Sequence, residues 1–302
     1  MMQRYLIIHK TIYTYDYEAT ESYSQIKISP LETLCQSVNN HYITITPDVP
    51  LFSHMDYFGN KVHEFSVPFR HSSLEITATS DVVLYEPSTA PLNSPIKIKE
   101  AIQFFKKNDL EFYDYVNQSV YVHFTNSLHD FIKKVLDPNR LLSEAVMDLN
   151  EIFTKEFKYK SGSTTINTPI DEVLYRRTGV CQDFAHTMIA SLRLAGIAAR
   201  YVSGYIESYD PNSRIEMIGA EQSHAWLDVY FPDYFWFGLD PTNNMISSSR
   251  HMRVGTGRDF NDVSPVRGTF KGSGRQYLSV DVKMRRLENE IDHKQETLQK
   301  PN

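Results

Sequence analysis

The chain has 302 residues, of which 41% are hydrophobic and 23% charged, enough for one large or two ordinary domains at ~150 residues each. With 31 basic against 37 acidic residues the formal net charge is −6, so no global field points to nucleic acid or anionic lipid as a partner. Two cysteines, Cys35 and Cys181, make neither a disulfide framework nor a CxxC zinc or redox motif, and no run of ~18 apolar residues is present to cross a bilayer.

At the amino terminus the short Leu6-Ile7-Ile8 run passes into acidic, tyrosine-rich sequence with no small-residue cleavage site, which predicts a cytoplasmic protein with reduced thiols. From Tyr5 to Tyr85 short alternating runs rich in Tyr, Ile, Val, Thr and Phe, such as Ser24 to Ile28, Tyr42 to Thr46 and Leu74 to Thr79, predict an all-β unit, a β-sandwich over residues 1–86. Glu86 to Pro95 holds three prolines in ten residues and reads as a linker, because proline removes ladder donors.

A second unit is expected over residues 96–284. Ile96 to Phe105, Ser127 to Leu136 and Leu141 to Phe157 carry apolar residues at helical spacing, with Asp137-Pro138-Asn139 as a stop. Eleven of the twelve glycines lie at or beyond Gly162, so tight turns and close backbone approaches concentrate here. After Met284 the chain turns charged and polar, and residues 285–302 are expected to form a tail.

The residues with chemistry begin at Arg177. Thr178-Gly179 is a turn signal, and beyond Cys181 the residues Phe184, Ala185, Met188, Ile189 and Leu192 fall three and four apart, which places Cys181 in the first turn of a helix. There the peptide dipoles and unpaired N–H groups favour an anion such as a thiolate, and one N–H is free for a developing oxyanion. The competing reading makes Cys181 a small buried hydrophobe.

Downstream residues shift the balance. In Ser223 to Phe231, His224, Trp226, Asp228 and Tyr230 share one face of a strand. Pro232-Asp233-Tyr234 turns the chain, and Phe235 to Asp240 returns. A three-residue loop sets Phe231 opposite Phe235 and Trp226 opposite Asp240, leaving His224 a same-face diagonal neighbour of Asp240 at ~7–8 Å between backbones. A two-residue loop puts them on opposite faces. In the first register Asp240 orients the imidazole and His224 takes the Cys181 proton.

The blocks GVCQDFAH, SHAWLDVYF and WFGLDPTN, with GIAARYVSGY between the first two and HMRVGTGRDFNDVSPVRG after the third, resemble the bacterial transglutaminase-like, papain-type cysteine enzymes, and the strand-rich start is similar to their amino-terminal domain. The resemblance spans nearly the whole chain. It implies an α+β fold, with an N-terminal β-sandwich and a core of helices packed on an antiparallel sheet. It also implies Cys181 as nucleophile, His224 as general base and acid, and Asp240 as orienting group in cleavage of amide bonds. Tyr159, Gln182 and Trp226 are the candidates for cleft wall or oxyanion contacts. The family often has proline where this chain has Ala198, and glycine where it has Phe235.

Other titratable residues point to structure. His186 lies about 140° around the helix from Cys181, Asp183 is placed to meet the helix dipole, and Arg200 and Arg258 are placed to pair with acids. No clustered metal-ligand spacing, P-loop or dinucleotide-binding glycine pattern is found, so no cofactor or metal is expected. The expected partner is a peptide, protein or small amide substrate, with hydrolysis ahead of cross-linking. The alternatives are a non-catalytic partner-binding protein that keeps the fold and a metal-dependent hydrolase built on His224 and Asp240.

Overall fold

The computed structural model describes residues 2–208, 217–219 and 223–287. Six strands come first: β1 (Met2–Ala19), β2 (Glu21–Ile26), β3 (Gln36–Thr46), β4 (Phe52–Met55), β5 (Lys61–Val67) and β6 (His71–Tyr85). Alternation decides their faces. β1 buries Tyr5, Ile7, His9 and Thr11, and β6 buries Leu74, Ile76, Ala78, Ser80 and Val82, every second residue in each case. Ile26, Phe65 and Val67 from one sheet meet Ile45, Leu74 and Ile76 from the other in a shared core, so the expected sandwich is present.

A 3₁₀ turn at Ala90–Asn93 lies within the proline-rich connection. Helices α1 (Ile98–Lys107), α2 (Asp109–Val116), α3 (Asn126–Ile132) and α4 (Leu142–Glu156) follow, then β7 (Lys158–Tyr159), α5 (Ile170–Arg176), β8 (Thr178–Gly179) and α6 (Cys181–Leu194). β9 (Ala199–Ile206), β10 (His224–Phe231), β11 (Phe235–Asp240), β12 (Met245–Ile246) and β13 (His251–Gly257) form an antiparallel sheet in the order β12-β11-β10-β9-β13. α6 is the central helix: Phe184, Ala185, Met188, Ile189 and Leu192 are all buried, in one core with Leu149 and Phe153 of α4 and Leu227 and Val229 of β10.

After α7 (Phe260–Val263) the chain goes back. β14 (Val266–Lys271) pairs with β2, and β15 (Gln276–Leu287) pairs with β1 along its length, Arg4 opposite Leu287 and Tyr15 opposite Gln276. The boundaries read from the sequence are amended accordingly. Residues 266–287 complete the sandwich instead of ending the second unit, and residues 285–287, expected in a polar tail, are strand; the remainder of that tail, 288–302, lies outside the described residues. The polar look of β15 misled because it is an edge strand with one face in solvent.

The sandwich and the five-stranded sheet share a third apolar cluster, Tyr5, Ile7, Val82 and Leu84 against Tyr205, Met252 and Val254. Two side-chain amides stand in for a neighbouring strand along β13. Gln36 donates to the Arg253 carbonyl and accepts from the Arg253 N–H, and Asn60 does the same at Thr256. The open backbone of this edge is thereby satisfied.

Candidate active site

Cys181 is the first residue of α6, where helical N–H groups have no intrahelical partner. The turn before it is fixed by Asp183, which accepts from the Val180 N–H at 2.7 Å and the Thr164 hydroxyl at 2.6 Å. A Cβ at position 179 would lie 2.9 Å from two Asp183 side-chain atoms, so glycine is needed for the carboxylate to fold back. β7 pairs with β8, Tyr159 beside Gly179, which ties Tyr159 to the turn that presents the thiol.

The β10–β11 hairpin has the three-residue turn. Phe231 faces Phe235 and Leu227 faces Leu239, a register that sets Trp226 opposite Asp240. His224 and Asp240 are fully buried, and Nε2 lies 2.8 Å from Oδ2. Nδ1 is buried with no hydrogen-bond partner among the described residues, which leaves it as the nitrogen available to the nearby Cys181 thiol. Burial by itself lowers an imidazole pKa; here the charge and hydrogen bond of Asp240, reinforced by Cys181, outweigh it and raise His224 to about 10. Burial likewise pushes the Asp240 carboxyl up, but His224, helped by His251, holds it well below the carboxylate range.

Asp240 is saturated with donors. Oδ1 accepts from the Thr242 N–H at 2.9 Å, and Oδ2 accepts from Asn243 Nδ2 at 2.8 Å. His251 lies 3.3 Å from Oδ2 through Nε2, while its Nδ1 accepts from the Ser248 N–H at 3.1 Å. That second bond fixes the tautomer, so Nε2 carries the hydrogen toward Asp240. Burial, followed in size by opposing help from Asp240, leaves the His251 pKa lowered.

The three expected residues are therefore brought together, and Tyr159 and Trp226 lie against them, but Trp226 is fully buried and packs behind His224 instead of forming the expected cleft wall. Trp226 stacks on His224 with ring centroids 5.9 Å apart, and its Nε1 is buried without a partner among the described residues. Tyr159 Oη and His224 Nδ1 both face Gly219: a Cβ there would lie 3.4 Å from the first and 3.0 Å from the second. Gly219 has a φ of 82°, and its neighbour Ile218 is held by Asn243, which accepts from the Ile218 N–H at 2.9 Å. Gln182 is half-buried in the first turn of α6.

The residues read as structural have structural partners. His186 is buried, accepts from the Phe260 N–H at 3.1 Å and stacks on Tyr121. Arg200 pairs with Asp228 and Arg258 with Asp262. His251, Asn243 and Gly219 were not singled out as site residues. His251 sits beyond the last block on a strand with a bulge between Arg253 and Gly255, so no spacing rule connects it to Asp240. Asn243 was visible within DPTN, but its bond to Ile218 depends on a tertiary approach.

A cavity of about 510 Å³ lies away from Cys181. It lies between residues 33–36 and 86–91 of the sandwich side and the five-stranded sheet, with His251 in its wall.

Comparison with known proteins agrees with this architecture. Residues 5–83 match the bacterial transglutaminase-like N-terminal region, and residues 129–241 match the transglutaminase-like superfamily. An uncharacterized protein of Mycobacterium tuberculosis is 35% identical, covering 96% of this chain and 95% of its own. One from Mycobacterium leprae is 30% identical, covering 95% of this chain and 100% of its own. The crystal structure of a candidate cysteine protease from Cytophaga hutchinsonii shares the fold, with a TM-score of 0.74 and 18% identity over 96% of this chain and 92% of that one.

Proposed function

Because the chain belongs to the transglutaminase-like superfamily, we propose that it is a cysteine enzyme that cleaves amide bonds, with Cys181 as nucleophile, His224 as general base and acid, and Asp240 as the group that orients His224. The observation that carries this reading is the buried His224–Asp240 pair, which commits Nε2 to the carboxylate and leaves Nδ1 for the thiol. His224 takes the Cys181 proton, Sγ bonds to the carbonyl carbon, and the C–N bond breaks as His224 returns the proton to the leaving amine. The thioester is then resolved by water, which His224 deprotonates, releasing the acid and the free thiol.

The Cys181 N–H at the start of α6 is one oxyanion donor, Tyr159 and Gln182 line the substrate's approach, and the buried Trp226 backs the His224 ring. Hydrolysis is preferred to transfer onto an amine because Cys181 is half-buried and open to solvent. The substrate class is a peptide, a protein or a small amide. A second reading, partner binding without turnover, draws on the cavity of about 510 Å³ remote from Cys181.

Alkylation by iodoacetamide across pH, in a Cys35→Ser background with and without His224→Ala, tests the pair. Reaction that persists well below pH ~8.5 and is lost with His224→Ala supports the proposal and calls for peptide and amine screens. An ordinary thiol profile that ignores His224→Ala overturns it in favour of partner binding.

A further inference from the structure

We propose that the 510 Å³ cavity between the sandwich and the five-stranded sheet is a second binding site, for a small carboxylic acid with an apolar or aromatic body. Its volume is in the range of small-molecule sites. At its floor Arg253 grips Asp228 with both terminal nitrogens, at 2.7 and 2.8 Å, and Arg200 adds its Nε at 2.9 Å. Two guanidinium groups thus share one carboxylate. Arg200 has two terminal nitrogens with no hydrogen-bond partner among the described residues, and its Cζ lies 4.3 Å from the centroid of the Trp236 ring. A guanidinium beside an aromatic ring in a cavity wall is suited to a planar carboxylate, which accepts two parallel N–H bonds from it. Glu86, the other acid in the wall, is engaged on Ser249 through both oxygens.

The rim is apolar where solvent contact disfavours it. Leu34 is 99% exposed and Phe235 67% exposed, and both border the cavity. Phe235 also adopts a φ of 84°, a left-handed region that is unfavourable for a bulky side chain. An aromatic residue kept in a strained backbone with its ring in water is accounted for if the ring closes over a bound body. The site lies apart from Cys181 and does not depend on the amidase reading.

Isothermal titration of the full chain with 3-phenylpropanoate, its neutral amide and N-acetylphenylalanine tests the proposal. The acid is expected to bind saturably at one site per chain and the amide at least about tenfold more weakly. Arg200→Gln and Leu34→Glu are each expected to weaken the acid by about tenfold or more. Leu34 is exposed, so its variant remains informative if Arg200→Gln misfolds. N-acetylphenylalanine binding as well as the free acid identifies a peptide carboxy terminus as the natural form; weaker binding identifies a free acid. No saturable binding of either acid, equal binding of acid and amide, or indifference to Leu34→Glu overturns the proposal.

Discussion

His224 and Asp240 are a fully buried pair, 2.8 Å apart, whose pKa values are driven in opposite directions. Asp240→Asn removes the charge that offsets burial, so His224 is expected to fall from about 10 to below ~6.5, its free value. The pair titrates as a unit. The raised His224 contributes stability that is complete below pH ~6.5 and lost as pH rises through about 10. The depressed Asp240 contributes stability present above pH ~4 and lost as pH falls below it. Urea unfolding of wild type minus Asp240→Asn should therefore show a plateau between about pH 4 and about pH 6.5, falling away on the acid side and declining steadily from there toward pH 10. A flat difference would contradict the pairing.

The two thiols should react unequally. Burial raises the Cys35 pKa, with Asp228 and Glu86 adding to the effect and Arg253 opposing it, whereas Cys181 has His224 beside it. At neutral pH and substoichiometric iodoacetamide, mass spectrometry of the digest is expected to find Cys181 carrying most of the label. Label mainly on Cys35 would count against the thiolate reading.

Gly204 is opposite His224 in the sheet, and a Cβ there would fall 1.9 Å from the Met252 carbonyl oxygen and 2.6 Å from the Trp226 ring. Backbone and a buried indole leave no room to yield. Gly204→Ala is expected to cost more than about 3 kcal/mol by forcing β13 away from β9. Denaturation that moves by less than about 1 kcal/mol would mean the sheet gives way easily there.

Phe235→Gly is expected to stabilise the chain by about 1 kcal/mol, since relief of a positive φ exceeds the entropy cost of glycine and the ring is mostly exposed. The same variant should weaken 3-phenylpropanoate. A thermal midpoint that drops instead would show that the ring contributes packing the exposed position conceals.

Local chemistry made the hairpin and the nucleophile turn legible. Pro232-Asp233-Tyr234 set the register that brings His224 to Asp240, and the periodicity after Cys181 placed it at the start of α6. The family's glycine at position 235 also gains its reason, because that residue has a left-handed backbone. Contacts that cross the chain were not legible. His251 reaches Asp240 only through sheet pairing, and α2 (Asp109–Val116) escaped because only Phe112 is buried among its eight residues. The return of β14 and β15 was hidden for the same reason, since edge strands with one wet face have no continuous apolar run.

That return has a consequence for how the protein is made. Tyr13 of β1 pairs with Leu278 of β15, so the edge of β1 stays open on the ribosome until nearly all of the described chain has emerged. The transglutaminase-like unit is synthesised between the first six strands of the sandwich and its last two, and the closing contact is of the slow, long-range kind. A nascent or truncated chain that stops before Gln276 leaves β1 without its outer neighbour and offers that edge to other chains.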